Sequence, residues 1–304
     1  MSGDERIAHT GRVLDHVDNY SVVDCRTCGF LHLDPIPGND KAQAFYDEQY
    51  FQHSKPDLLD EDEREVEHRN IFFDERLRFF RAHAPGRRLL DVGCGDGLFL
   101  SRASSDGWVT RGIEPSRHAA AIGVSRGLDV VHTTLDRYFE RNHDGFDVIH
   151  LKNVLEHLPD PARALRTCYD LLVPGGILYI EVPNDYDLSQ RFGVWLLRER
   201  KSWIVVPDHI NYFDFASAER LVRRLRFAVT RRDTTFPMYI FLCLGLNFIK
   251  NKDLGKRLHR WRVRFELFCA RHHLNRVRQF AYGLLAKVGF GRTAILYCQK
   301  PEKP

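Results

Sequence analysis

Leu89-Leu90-Asp91-Val92-Gly93-Cys94-Gly95-Asp96-Gly97 decides the fold. An apolar run reads as a buried strand, the glycines as a tight turn, and Leu98 onward as a helix. Glycines after a buried strand let the backbone pass close to a ligand without interference from a Cβ. Their spacing is G-x-G-x-G, whereas a dinucleotide fingerprint needs G-x-G-x-x-G with a helix N-terminus on a pyrophosphate. Asp91, two positions before the first glycine, repels a diphosphate and attracts a cationic or hydroxyl-bearing ligand. Glu114 closes the next strand, where a carboxylate can accept both hydroxyls of a ribose.

Outward from this turn, strands and helices alternate. Strands are predicted at Arg88–Val92, Val109–Ile113, Leu128–Val131, Phe146–Leu151 and Ile177–Val182. Helices are predicted from Leu98, at Ser116–Arg126, at Thr134–Arg141 and at Pro161–Leu172, the last with Asp160 as N-cap and Pro161 at its first position. The fold class is therefore α/β, a mostly parallel sheet covered by helices on both faces. Upstream, the acids Asp60 to Glu63 open a helix that Pro85-Gly86 ends. After Pro183 the rhythm breaks into an aromatic-rich connection over 184–213, long enough to be a substrate lid. A helix at Ser217–Arg226, a strand at Phe227–Thr234, a helical insertion over 236–290 and a last strand at Thr293–Gln299 follow. Four regions result: an arm (1–59), a ligand-binding domain (60–235), the insertion (236–290) and the closing strand (291–304).

Asp91 to Gly97, with Gly112-Ile-Glu114-Pro-Ser116, resembles the class I S-adenosylmethionine-dependent methyltransferases. Phe146-Asp-Val-Ile-His-Leu-Lys-Asn-Val-Leu-Glu-His-Leu-Pro-Asp-Pro161 is similar to the fourth-strand segment of one broad branch, and Leu171-Leu-Val-Pro-Gly-Gly-Ile-Leu178 to the turn into its fifth strand. The resemblance implies a Rossmann-like, seven-stranded sheet whose last strand is antiparallel, and S-adenosylmethionine as cofactor. It places Asp91, Gly93, Cys94 and Gly95 around the methionine moiety, Glu114 and Pro115 at the ribose, and Thr134 and Leu135 beside the adenine, with Asn153 lining the same pocket. The sulfonium is already a strong methyl donor, so the protein must align an acceptor in line and exclude water. Two rival readings are a nicotinamide-dependent oxidoreductase on a related sheet, against which the missing third glycine of G-x-G-x-x-G argues, and a cofactor-binding partner protein without catalysis.

An oxygen acceptor must also lose a proton, and histidine is the side chain most easily tuned for that near neutral pH. His209, in Pro207-Asp-His-Ile-Asn-Tyr-Phe213, follows the lid and is the first candidate; His157, in Leu155-Glu-His157, is the second. Each has a plainer reading as a packed residue beneath the lid or beside the cofactor. Glu156 can line the same pocket, and Tyr212 is a further polar candidate. In the arm, Cys25-Arg-Thr-Cys28-Gly29 is similar to the N-terminal arm of certain sugar methyltransferases that carry two such knuckles. The second C-x-x-C is missing here, so the expectation is a degenerate arm with no bound metal; a Cys₂His₂ site using His9 and His16 is the alternative. Tyr46, Tyr50 and Phe51 are candidate lid residues.

The 304 residues carry 45 Lys+Arg against 41 Asp+Glu, a net charge of +4 that conceals an asymmetry. Residues 1–182 hold 21 basic and 31 acidic side chains; residues 183–304 hold 24 and 10. A uniform polyanion binder is unlike this pattern. Within 250–278, Leu254, Leu258, Trp261, Phe265 and Phe268 form an apolar helical stripe flanked by arginines. One reading packs the stripe on the core. The other lays a basic amphipathic helix on an anionic membrane surface or a phosphorylated acceptor. No nucleic-acid motif accompanies the charge, so none is expected to bind specifically. The longest apolar run, Phe236–Ile249, has 14 residues, short of the roughly 20 a span needs. Seven mostly isolated cysteines and an N-terminus without an apolar leader point to a cytoplasmic protein, peripheral at a membrane in the second reading. The acceptor class expected is a small molecule, a sugar or a lipid-linked compound, with methyl transfer to oxygen.

Overall fold

The computed structural model describes residues 9–37 and 63–302. Tyr46, Tyr50, Phe51 and the acids Asp60 to Asp62 lie outside the described residues.

Seven strands form the main sheet: β4 (Arg88–Val92), β5 (Val109–Glu114), β6 (Val130–His132), β7 (Phe146–Lys152), β8 (Leu172–Pro183), β10 (Ala228–Asp233) and β11 (Thr293–Gln299). Their order is β10-β11-β8-β7-β4-β5-β6. β4 through β8 pair in parallel. β11 runs antiparallel to both β8 and β10, the reversed last strand that the sequence leads one to expect.

The central strands alternate between two apolar layers. Leu89, Val148 and Tyr179 face α1 (Glu63–His83) and α2 (Leu98–Ser105), which contribute Phe73, Leu77, Phe80 and Phe99. Leu90, Ile149 and Ile180 face α4 (Leu135–Phe139), α5 (Pro161–Leu171) and α7 (Phe215–Arg224). α3 (Arg117–Ser125) starts at Ser116, whose side chain accepts the Ala119 N–H, and Asp160 caps α5 by accepting from Arg163. These caps satisfy N–H groups that the first helical turn leaves without partners.

Two regions, the arm and the lid, are more structured than the sequence reading anticipates. In the arm, β1 (Gly11–Val17), β2 (Tyr20–Cys25) and β3 (Leu31–Asp34) form an antiparallel sheet completed by β9 (Asn211–Tyr212) from the lid. β1 is largely exposed on both faces, so it carries no alternating pattern to read. The lid contains α6 (Leu188–Leu197), capped by Asp187 through the N–H groups of Ser189 and Gln190. The insertion comprises α8 (Ile240–Cys243), α9 (Lys252–Arg271) and α10 (Asn275–Lys287).

α9 overturns the expectation that its aromatic stripe packs inward. Trp261 is 50% exposed and Phe268 52%, while α9 buries Arg262, Val263, Glu266, Leu267 and Cys269. The orientation follows from a polar anchor. Buried Glu266 meets His68 of α1 at 2.5 Å and accepts from the Tyr282 hydroxyl at 2.8 Å, while Arg271 of α9 pairs with Glu67 of α1. A buried carboxylate stripped of these partners would cost several kcal/mol, so the polar pairs determine which face turns inward.

Candidate cofactor and acceptor site

Gly93, Gly95 and Gly97 all take positive φ, at 67°, 57° and 81°. A Cβ on Gly93 would come within 2.8 Å of Val154 Cγ2, and one on Gly97 within 2.5 Å of Leu128 Cδ1. The turn is sewn to β5 because the N–H groups of Gly93 and Cys94 both reach the Ile113 carbonyl, at 2.8 and 3.2 Å. Glu114 finishes the seam: its two oxygens accept the Gly95 and Ser116 N–H groups, each at 2.8 Å. The carboxylate assigned to the ribose is therefore held in place by backbone.

Asp91 is buried beneath the turn, where strand register places it opposite His150. His150 Nδ1 donates to Asp91 Oδ1 at 2.6 Å, and its Nε2 faces Arg76 at 3.2 Å. Burial, then the arginine, keep His150 less basic than usual although Asp91 opposes this; the neutral tautomer fits both bonds. Arg76 continues to Glu181 at 3.2 Å, which also accepts from the Tyr179 hydroxyl at 2.6 Å. Burial works against ionising Glu181, but Lys152, Arg76 and Tyr179 outweigh it and bring its pKa down to about 2.

The other expected cofactor residues lie at the same edge. Pro115 follows β5, and its carbonyl meets His132 at 2.9 Å. Thr134 caps α4, and Leu135 is buried behind it. Asn153 follows β7 at φ 53°, exposed, with its N–H on the Glu181 carbonyl at 2.8 Å. Cys94 is placed differently from a ligand-facing side chain. Its Sγ packs under Gly112, where a Cβ would approach it to 2.6 Å, and burial pushes its thiol well up. All these groups stand at the carboxyl ends of parallel strands, where open α/β sheets bind ligands.

Val154, in contact with Gly93, leads directly into the 3₁₀ turn Leu155–His157. The lid returns onto this turn. Ile210 N–H donates to the Glu156 carbonyl at 2.8 Å, and the Asn211 amide donates to the carbonyls of Leu155 and Leu158 at 2.9 and 2.7 Å. These bonds bring the His157 and His209 rings to 5.0 Å between centroids, nearly perpendicular. Asp208 serves His157 rather than its sequence neighbour: its carbonyl accepts from His157 Nδ1 at 2.9 Å, with its carboxylate at 3.2 Å. Burial opposes charge on His157, yet Asp208 and Glu156 raise its pKa overall. His209 is pushed down to about 4 by burial and by the neighbouring His157. One ring is thus set up to carry a proton and the other to lack one. His209 Nδ1, Glu156 Oε2 and Asp185 Oδ2 are buried without a hydrogen-bond partner, and burial brings Glu156 up to about 7.

A family model described as a methyltransferase domain matches residues 63–231. The chain belongs to that family. Its cofactor is S-adenosylmethionine, and the turn described above has the small residues, positive φ angles and fixed carboxylate that fit it. The curated relatives it matches include ubiquinone biosynthesis O-methyltransferases. That of Vibrio atlanticus is 30% identical over 40% of this chain and 54% of its own length. That of Aliivibrio fischeri strain MJ11 is 29% identical over 57% and 77%. The chain spans about half the length of the first of these relatives. Among solved structures, a SAM-dependent methyltransferase from Archaeoglobus fulgidus superposes with a TM-score of 0.51 at 18% identity, covering 83% of this chain and 100% of that one. The plantazolicin methyltransferase BamL, in complex with a triazolic desmethylPZN analog and SAH, gives 0.51 at 16%, covering 86% and 97%. Both show the fold. The oxidoreductase reading gives way to an S-adenosylmethionine-dependent methyltransferase domain.

Sequence reasoning missed several groups in this methyltransferase. His150 and Glu181 are polar residues inside apolar strands, a signal that was present but unused. Arg76 gives no signal, because an arginine on an amphipathic helix ordinarily points to solvent. Asp185, buried at the start of the lid, is equally unmarked by its neighbours.

Proposed function

We propose that this methyltransferase transfers a methyl group to a hydroxyl oxygen of a small, sugar or lipid-linked acceptor, with His209 taking the hydroxyl proton and Asp208 orienting His157 beside it. The observation that carries the reading is the buried, unpartnered Nδ1 of His209 next to a histidine that favours its charged form. The cofactor supplies an electrophilic methyl group. As an oxygen is alkylated its proton becomes strongly acidic, so even a weakly basic neutral imidazole suffices to receive it. The names of the curated relatives, O-methyltransferases, support oxygen as the accepting atom. The test is incubation with labelled methyl donor and paired acceptors bearing either a hydroxyl or an amine. Ether product that is lost in His209→Ala supports the proposal; amine methylation that is indifferent to His209 refutes it.

The acceptor side also carries a surface suited to lipid. Leu188 (77% exposed) and Trp195 (71%) lie on α6, and Leu244 (69%) follows α8. Gly193 of α6 lies so close to α8 that a Cβ would meet Leu242 at 2.7 Å, and Phe241 of α8 touches Trp261 of α9. The same segments carry the exposed Arg191, Arg198, Lys256, Arg257 and Arg260. Among the described residues no helix is long and apolar enough to cross a membrane, so the fitting occupant is the surface of an anionic bilayer. Co-sedimentation with phosphatidylglycerol vesicles but not with phosphatidylcholine vesicles is expected, and a Trp195→Glu, Trp261→Glu double variant should lose it. Equal binding to both vesicles, or to neither, refutes this face.

A further inference from the structure

The N-terminal arm gathers four ligating atoms at one point, and we propose that His9, Cys25, Cys28 and His32 form a tetrahedral zinc site. One ligand atom from each lies within 4.8 Å of all the others. His9 Nδ1 is 3.1 Å from His32 Nε2, 3.6 Å from Cys25 Sγ and 3.4 Å from Cys28 Sγ. Zinc bonds of about 2.3 Å to sulfur and about 2.05 Å to nitrogen give tetrahedral edges of about 3.3 Å between nitrogens and about 3.5 Å between nitrogen and sulfur. The separations match those edges. Hydrogen bonding alone does not explain them, because one imidazole nitrogen carries a single proton or a single lone pair and cannot satisfy three neighbours.

The surrounding structure prepares each donor. His32 Nδ1 lies 2.8 Å from the Leu33 carbonyl, a bond in which it must donate. That leaves Nε2 with its lone pair toward the cluster, the second hydrogen bond typical of ligating histidines. Cys28 N–H donates to Cys25 Sγ at 3.4 Å, and Gly29, at φ 80°, donates to the Cys25 carbonyl at 2.8 Å to close the knuckle. Cys25 and His32 are both buried. Two thiolates and two neutral imidazoles suit zinc and not the oxygen-seeking magnesium or calcium. His16, which spacing alone made an alternative ligand, bonds instead to Ser21 at 3.0 Å. His32 takes the place in the set that no second C-x-x-C fills.

The site also reaches the acceptor segment. His32 pairs with Asn211 and Leu31 with Tyr212, Leu33 N–H donates to the Ile210 carbonyl at 2.8 Å, and the Phe30 ring lies 5.1 Å from that of Phe213. Zinc would therefore clamp the strand on which the His209 segment rests. The metal claim itself stands whatever the acceptor proves to be.

The test uses the full chain purified without chelators. Elemental analysis should find one zinc per chain, and cobalt substitution should give the intense visible bands of a tetrahedral ion with thiolate charge transfer. His9→Ala and His32→Ala should each reduce metal content several-fold, while His16→Ala retains it. Undiminished zinc in His32→Ala, or loss in His16→Ala, overturns the ligand set. If the histidine variants do not fold, the wild-type cobalt spectrum decides: weak octahedral bands without thiolate charge transfer overturn the site, as does a folded wild-type chain that takes up no zinc from micromolar solution.

Discussion

The two sides of the ligand cleft treat buried charge in opposite ways. On the cofactor side every carboxylate is engaged: Asp91 with His150, Glu114 with two backbone N–H groups, Glu181 with Arg76 and Tyr179. On the side proposed to take the acceptor, Glu156, Asp185, Asp187 and His209 each leave a buried polar atom without a partner. Satisfied networks rigidify, whereas an unpartnered buried polar atom costs free energy unless a ligand completes it. A cofactor common to a whole family can be met by a fixed cradle. Under the proposed function the acceptor is recognised by groups held ready, at a cost in stability.

The largest effect that would break this contrast is catalytic. His209→Ala should lower kcat by about 10²–10⁴-fold, the usual worth of a general base, while the dissociation constant for S-adenosylhomocysteine stays unchanged. A matching loss of cofactor affinity would mean that the two sides are not separate. The acid limb of kcat should lie well below the ordinary histidine value of 6.5, nearer 4, because His209 is held neutral by burial and by His157. A limb at or above 6.5 would transfer the base role to His157, whose pKa is raised.

Next in size is a structural effect on the opposite side. Arg76→Met removes one partner from a fully enclosed network and leaves the Glu181 carboxylate exposed to desolvation without it. A loss of about 3–5 kcal/mol is expected from chemical unfolding, since truncating one member of a buried ion pair strands the other. Saturating S-adenosylhomocysteine should recover part of it by mass action. A loss below about 1 kcal/mol, the level of a surface pair, would show that the cofactor side is not held together by this network.

How much of this was legible in advance follows the same division. The glycine turn, Glu114 and the parallel strands announce themselves because backbone constraints leave marks on sequence: positive φ asks for glycine, and buried strands ask for apolar runs. His157 and His209 could be named, but not their pairing. Asp208 lies beside His209 in sequence, and only the lid's return onto Leu155–His157 turns it to the other ring. The α9 stripe shows the limit of periodicity. Its apolar face is plain in the sequence, yet Glu266, held by His68 and Tyr282, puts the other face inside.

The smallest effect separates the two sides by the sign of their pH dependence. Glu181 has a folded pKa of about 2, below its ordinary value of 4.5. Its contribution to stability is therefore present above pH 4.5 and lost as pH falls toward 2. Asp185 is shifted the other way, raised well above 3.8 by burial and then by Glu156. Its neutral form suits the fold, so stability is complete below pH 3.8 and declines as pH rises through the folded value. Asp185→Asn, which keeps the shape and removes the titration, should match wild type in acid and exceed it progressively at neutral pH, by about 1 kcal/mol or more for each pKa unit of the shift that is traversed. Acceptor KM should rise in the same variant if that carboxylate is held for the substrate. A variant less stable than wild type at pH 7 would mean that Gln190, which hydrogen-bonds the Asp185 carboxyl, outweighs its burial, and that this side is as fully satisfied as the cofactor side.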